Sequence, residues 1–249
     1  MSVIILQSAA IMRPEWVDDC LNSVVDWCKR AGYRHHFLDD TLFDCVPNWY
    51  LEKIDGRLPI ASDYARLWHC RQLLKAGAEQ VLWLDADTLI TDPEWRLPNT
   101  SHTLFGEECW VQCDERGRLQ IKRQPHNAFS AFRQDSPVLD FLLEATQSII
   151  ARADPRFIAP QMVGPKLLKA LHNIVHFDLV PAAGALSPEV IQAITDGGGA
   201  ALALFLDERR CNTAIVNLCA SLQRHPDGGK ALPLARIKSL IGAESITNP

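Results

Sequence analysis

Residues 81–84 read Val-Leu-Trp-Leu and run directly into Asp85-Ala86-Asp87. Four apolar residues without polar alternation suit a strand covered on both faces, as in a mostly parallel sheet flanked by helices. The surrounding pattern agrees. Residues 3–7 are a short apolar strand, and 14–31 place Trp16, Val17, Leu21, Val24, Val25 and Cys28 at helical spacing before Gly32. A second strand is expected at 35–38, ended by Asp39 and Asp40, and a weaker helical segment at 43–50. Ser62 reads as the N-cap of a helix running to Ala76, with Leu67, Cys70 and Leu74 as its stripe and Gly77 as its stop. The first hundred residues therefore predict an α/β, Rossmann-like nucleotide fold.

The second half is less regular. A strand is expected at 127–132, helices at 137–152 and 165–172, a strand at 175–180 and a late helix at 211–222. Gly197-Gly198-Gly199 and Gly228-Gly229 act as punctuation. Neither repeats nor a long linker divide the 249 residues, so one domain is expected, with a ligand-binding half at 1–100 and a more variable half at 101–249. A formal charge of −5 without a basic block argues against nucleic acid as a partner. The eight cysteines include no C-x-x-C pair, and His102, Cys109 and Cys113 are too loosely spaced for a zinc cluster, so buried thiols in a reducing compartment are expected. The N-terminus lacks a basic n-region, and no window approaches the ~20 apolar residues of a membrane span. These features predict a cytoplasmic protein with peripheral membrane contact at most.

The chemistry concentrates at two places. Asp85 and Asp87 follow an apolar strand, and open α/β sheets bind ligands beyond the carboxyl ends of their strands. Two acids one residue apart can divide the work between a divalent cation and a sugar hydroxyl, and oxygen-only ligands favour magnesium, manganese or calcium. Asp63 and Arg66, three apart in the first turns of the next helix upstream, project from one helix face. From composition alone they read first as a capping ion pair, and their placement relative to the following strand is what makes them candidates for a ligand site. Only residues 77–80 separate that helix from the strand, so the two run antiparallel and both groups face one cleft.

Ile60-Ala61-Ser62-Asp63-Tyr64-Ala65-Arg66, then Leu73-Leu74, Gly77 and Leu84-Asp85-Ala86-Asp87, together resemble the sugar-binding region of family 32 glycosyltransferases, which recurs in the clostridial glucosylating toxins. Weaker echoes are Ile4-Ile5-Leu6-Gln7, the stretch from Trp27 through Gly32-Tyr33 to Asp39-Asp40, Asn127-Ala128 and Gly164-Pro165. The resemblance covers roughly residues 3–170. It implies a GT-A fold, a nucleotide-sugar donor (UDP- or GDP-sugar), a divalent metal (manganese or magnesium), and sugar transfer with retention to a glycan, glycolipid or protein acceptor in polysaccharide or glycoconjugate synthesis. By position it implies that Asp63 and Arg66 hold the donor sugar. Asp87 would ligate the metal, and Asp85 would contact metal, ribose or sugar. Gln7, Trp83, Asp85 and Asn127 form the implied donor-binding set, with Trp83 either lining a nucleoside pocket or serving as a core aromatic.

The chain departs from that pattern. Leu6 stands where His is usual, and Ala78-Glu79 where a second Gly is usual. Residues 214–222 lack the His and both Trp of a C-terminal segment that helps close the metal site. Asn212, Asn217, Ser221 and His225 are the polar residues left to supply a third ligand. Two other readings compete: a degenerate fold acting as a binding protein, and a phosphatase with Asp85 as nucleophile. The phosphatase motif wants Thr two residues beyond the second acid, where this chain has Leu89.

Overall fold

The computed structural model describes residues 2–99, 101–175, 177–222 and 232–242. Strand β1 (Val3–Ser8), helix α1 (Glu15–Ala31) and strand β2 (Arg34–Leu38) open the chain, followed by α2 (Asn48–Ile54), α3 (Leu58–Lys75), β3 (Gln80–Leu84) and β4 (Thr88–Ile90). A long hairpin, β5 (Thr103–Cys113) and β6 (Leu119–Arg133), precedes α4 (Pro137–Arg152) and α5 (Pro165–His172). The remainder comprises β7 (Asp178–Val180), β8 (Ala183–Ala185), α6 (Pro188–Asp196), α7 (Ala200–Glu208), β9 (Ile215–Asn217) and α8 (Leu234–Ile241).

The central sheet has the order β2-β1-β3-β6-β5-β7, and every strand in it runs the same way except β6. This is the expected α/β architecture with a mostly parallel sheet. Alternation along the strands sorts side chains onto two faces. Ile4, Leu6, Val81 and Trp83 pack with Ile60, Tyr64 and Leu67 of α3 on one side. Ile5, Leu82 and Leu84 pack with Val24, Trp27 and Cys28 of α1 on the other. Both faces being covered is why residues 81–84 show no polar alternation.

A smaller sheet, β4-β9-β8, packs with the N-terminal half of α1 and with α6, α7 and α8 through Trp16, Leu89, Val190, Phe205, Val216 and Ile237. Helix α1 thus contributes to both layers, with its N-terminal half on the small sheet and its C-terminal half on the large one.

Local signals explain most element ends. Gly32 closes α1 in the left-handed conformation with φ of 72°, returning its N–H to the Cys28 carbonyl. The Ser136 hydroxyl caps α4 by accepting from Leu139 N–H, with Pro137 in the first turn. Gly197, Gly198 and Gly199 all have positive φ, and the chain bends by 117° between α6 and α7 across them. No single helix among the described residues is long and apolar enough to cross a membrane.

Several expectations are corrected. Helix α3 begins at Leu58, with Pro59 in its first turn, so Ser62 lies inside the helix and does not cap it. Residues 43–50 split at Pro47 into a 3-10 turn, Asp40–Cys45, and α2. Residues 211–222 are not helical: β-branched Ile215 and Val216 pair with β4 and β8, and a short 3-10 turn follows at Ala220–Leu222. The strand expected at 175–180 is confined to β7. The sequence pattern does not predict strands β4, β5 and β8 or helices α6, α7 and α8. The eight cysteines are free thiols, but only Cys20, Cys28 and Cys70 are buried, and Cys113 and Cys211 are exposed, which corrects the expectation of burial. Gly228-Gly229 and His225 lie outside the described residues.

Phe105 on β5 is fully buried, edge-on to Phe132 at 5.8 Å and to Phe177 at 4.8 Å. It joins β5, β6 and the segment before β7. Phe105→Ala is expected to cost about 3–5 kcal/mol of unfolding free energy in urea titrations.

Candidate active site

Helix α3 packs antiparallel to β3, which brings its N-terminal turns to the carboxyl end of the strand. There Asp63, Arg66 and Asp85 meet. Arg66 is 7% exposed and Asp63 5%. The guanidinium spends every donor inside the protein. Nε donates to the Ser62 carbonyl at 3.3 Å, Nη1 to Asp85 Oδ1 at 3.1 Å and to the Asn127 carbonyl at 3.0 Å, and Nη2 to Ser62 Oγ at 3.3 Å. Nη2 also pairs with Asp63 Oδ1 at 3.2 Å. Arg66 therefore fixes the two acids from inside the protein, with Asp63, Asp85, Ser62 and Asn127 around its guanidinium. Its Cζ lies 5.2 Å from the centre of the Trp83 ring.

Asp85 is held from behind as well. Trp83 Nε1 donates to Asp85 Oδ1 at 2.6 Å, and the Asp85 N–H donates to the Ala128 carbonyl at 3.0 Å. Gln7 Nε2 donates to the Asp85 carbonyl at 3.3 Å, and Gln7 Oε1 lies 3.0 Å from His35 Nε2. Gln7 and Trp83 are buried, at 0% and 2% exposure, so both brace Asp85 rather than face a ligand. Asn127 donates from Nδ2 to Asp63 Oδ1 at 2.7 Å, and Gly164, at the start of α5, approaches the Asp63 carboxylate so closely that a Cβ has no room there. Among the described residues, Asp63 Oδ2 and Asp85 Oδ2 take no hydrogen bond from the protein. The side chain of Asp85 is 30% exposed.

Asp87 belongs to the second sheet's side of the cleft. Asn217, at the end of β9, donates from Nδ2 to Asp87 Oδ1 at 2.6 Å, and Ala220 N–H donates to Asp87 Oδ2 at 2.6 Å. Cys219, with φ of 50°, turns the chain so that Ala220 can reach back, and its own N–H donates to Asn217 Oδ1 at 2.9 Å. Asn217 is thus engaged at both ends of its amide and serves as a brace. Ser221 is exposed.

Burial, and then the charge of Asp85, push the Asp87 carboxyl up to about 6. Asp63 is also raised to about 6, by burial first, against the lowering effect of Arg66. With three acids and one Arg, the cleft is negative. Its oxygen-only donors, Asp85 and Asp87, fit a hard divalent cation, although no group of three His, Cys, Asp or Glu that could ligate a metal occurs among the described residues. A cation here would take its remaining ligands from a substrate and water.

No family model matches the sequence, and no curated protein matches it. The structure is similar to that of galactosyltransferase LgtC in complex with donor and acceptor sugar analogs, with a TM-score of 0.50 and 15% identity, covering 99% of this chain and 97% of that one. An active-site mutant of LgtC gives a TM-score of 0.50 at 14% identity, with the same coverage. The likeness is one of fold: the chain has the GT-A architecture.

A carboxyl whose native pKa is raised keeps its proton where the unfolded chain has lost it, so its contribution to stability falls between about pH 4 and pH 6 and stays low above that. In urea titrations, wild-type stability relative to Asp87→Asn is expected to drop by about 2 kcal/mol from pH 4.5 to pH 7. Manganese is expected to raise the wild-type melting midpoint by about 2–4 °C at pH 7 and to leave Asp87→Asn unmoved.

Proposed function

We propose that the chain is a metal-dependent glycosyltransferase of the family 32 kind. It moves a sugar from a UDP- or GDP-sugar to a glycan, glycolipid or protein acceptor with retention, in the cytoplasm and with at most peripheral membrane contact. The observation that carries the reading is the joining of Asp63 on α3 to Asp85 at the end of β3 through a buried Arg66, in a GT-A fold. We read the chain as one domain, with the donor side in 1–100 and the acceptor side in 101–249.

Cleaving the anomeric bond to a nucleoside diphosphate puts negative charge on the leaving phosphate and oxocarbenium character on the sugar. A divalent cation, when bound, stabilises that leaving diphosphate as a Lewis acid. Asp87 and Asp85 would hold it. Asp63 Oδ2, free of internal partners, accepts a donor-sugar hydroxyl, and Asn127 keeps the Asp63 carboxylate in place. Arg66 contributes by preorganisation, because its five N–H groups set the carboxylates before substrate arrives. Gln7 and Trp83 act one layer further back, on Asp85.

The departures at 214–222 favour the binding-protein reading as the alternative, because Asn217 and Ala220 occupy Asp87 where a ligating His is usual. A phosphatase reading fits less well, because Leu89 stands where that motif wants Thr.

A panel of UDP- and GDP-sugars scored for nucleoside diphosphate release tests the reading. Release is expected with manganese, to be lost with EDTA, and to fall at least about 100-fold in Asp87→Ala. Arg66→Lys is expected to lose about 10–100-fold in kcat/KM, because an ammonium cannot span five acceptors. Absence of release from every donor, with no manganese-dependent thermal shift from UDP or GDP, would establish the binding-protein reading instead.

A further inference from the structure

The hairpin β5–β6 carries a row of polar side chains that the donor site leaves unused. Residues facing each other across an antiparallel pair point to the same side of the sheet. The register pairs Glu108 with Gln124 and Gly106 with His126, so Glu108, Gln124 and His126 share one face of the hairpin. Gln124 Nε2 donates to Glu108 Oε1. His126 is 5% exposed, and its Nε2 lies 3.0 Å from the Ala183 carbonyl, which assigns the ring proton to Nε2. Nδ1 is then an acceptor, and it is buried without a partner. Gly106, opposite His126, leaves the space the ring occupies, since a Cβ there would overlap it.

Geometry sets this row beside the cleft: His126 directly precedes Asn127, whose carbonyl accepts from Arg66 and whose side-chain amide donates to Asp63. Burial raises the Glu108 carboxyl, and His126, Gln124 and Lys169 of α5 oppose the shift. Helix α5 is the one whose first residues close on Asp63. On the opposite side, the Cys219 thiol is raised by burial first and then by the charges of Asp87, Glu108 and Asp85. Glu108 therefore lies two register positions from His126 on the same hairpin face, next to the carboxylates but separate from their hydrogen-bond network.

We infer that Glu108, set by Gln124 and flanked by His126, is the acceptor-binding wall of the cleft and takes a neutral hydroxyl of an incoming sugar. The reasoning is one of hydrogen-bond supply. A half-buried carboxylate and a buried imidazole nitrogen without a donor both call for hydrogens from outside, and a polyhydroxyl ligand brings them. A phosphate or carboxylate at the same place meets repulsion from Glu108, Asp85 and Asp87. The acceptor end that enters here is thus an uncharged glycoside. This inference rests on the transferase reading and names the acceptor chemistry of the same cleft.

The test uses the full chain and a panel of p-nitrophenyl hexopyranosides, with binding followed by saturation-transfer NMR and transfer followed with the active nucleotide sugar. Glu108→Gln is expected to raise the acceptor KM at least about tenfold while moving the donor KM less than about twofold, and to weaken glycoside binding in the NMR experiment. If Glu108→Gln melts below wild type, Gln124→Leu serves in its place, because it frees the Glu108 carboxylate without altering its charge. Donor and acceptor KM rising together, or glycoside binding indifferent to Glu108, overturns the inference while leaving the transferase intact. Glycoside binding that requires Glu108, without nucleoside diphosphate release from any donor, supports this wall and sinks the catalytic reading. Loss of both observations removes both.

Discussion

The site depends on one buried guanidinium. Asp63 and Asp85 come from different elements and carry like charges, so without a cation between them they would repel in a place where water screens poorly. Arg66 supplies that cation and also a planar fork of five N–H groups that finds five acceptors on α3, β3 and β6. The cost of burying it is offset because each N–H is satisfied and two of its partners are charged. Helix and sheet are thereby held in register at the carboxyl end of β3, where the acids must face outward together.

Each remaining part of the cleft arrives through a separate piece of topology. The reversed strand β6 delivers Asn127 against Asp63, and its N-terminal part, paired with β5, carries the row from Gln124 to His126. The small sheet brings β9 alongside β4, so Asn217 and the Cys219 turn reach Asp87 from the opposite side. Asp85 and Asp87, two residues apart, consequently report to different layers: Asp85 to the large sheet and α3, Asp87 to the small one. Helix α1 packs against both layers and couples their positions.

Much of this was legible in the residues. The unalternating run before Asp85 predicted a strand with both faces covered, and the short connection at 77–80 predicted that Asp63 and Arg66 would meet the acids. Roles were harder to read than positions. Arg66 and Asp63 look alike as helix-mouth charges in sequence, yet only one keeps a free atom for a ligand, and that depends on acceptors contributed by Asn127 and Ser62. Ser62 reads as a cap because Ser favours caps, but Pro59 starts the helix a turn earlier and turns Ser62 into an Arg66 partner. The hairpin escaped because Glu107-Glu108-Cys109 interrupts strand alternation where β5 leaves the core, although Asp114 and Gly117 do mark its turn. Residues 211–222 count as helical by apolar spacing, and only their pairing with β4 and β8 decides otherwise.

The C-terminal departures carry a physical consequence for the proposed chemistry. Where the resembled family has a His to ligate a metal, this chain has Val216 buried in the core and Asn217 turned onto Asp87. The Asp87 carboxylate thus already accepts two short hydrogen bonds, which take electron density from its oxygens, and Asp85 Oδ1 is similarly committed. A cation at this pair would have two protein ligands of reduced donor strength, and it would need phosphate oxygens to complete its shell. Metal and nucleotide affinity are then linked, each strengthening the other by the same factor. The raised Asp87 carboxyl works in the same direction, since burial first and the Asp85 charge second disfavour its ionised form, and a bound positive charge opposes both. On the transferase reading, such a site binds metal weakly on its own and more tightly once donor is bound, so the negative cleft that opposes a bare nucleoside diphosphate accepts the metal complex.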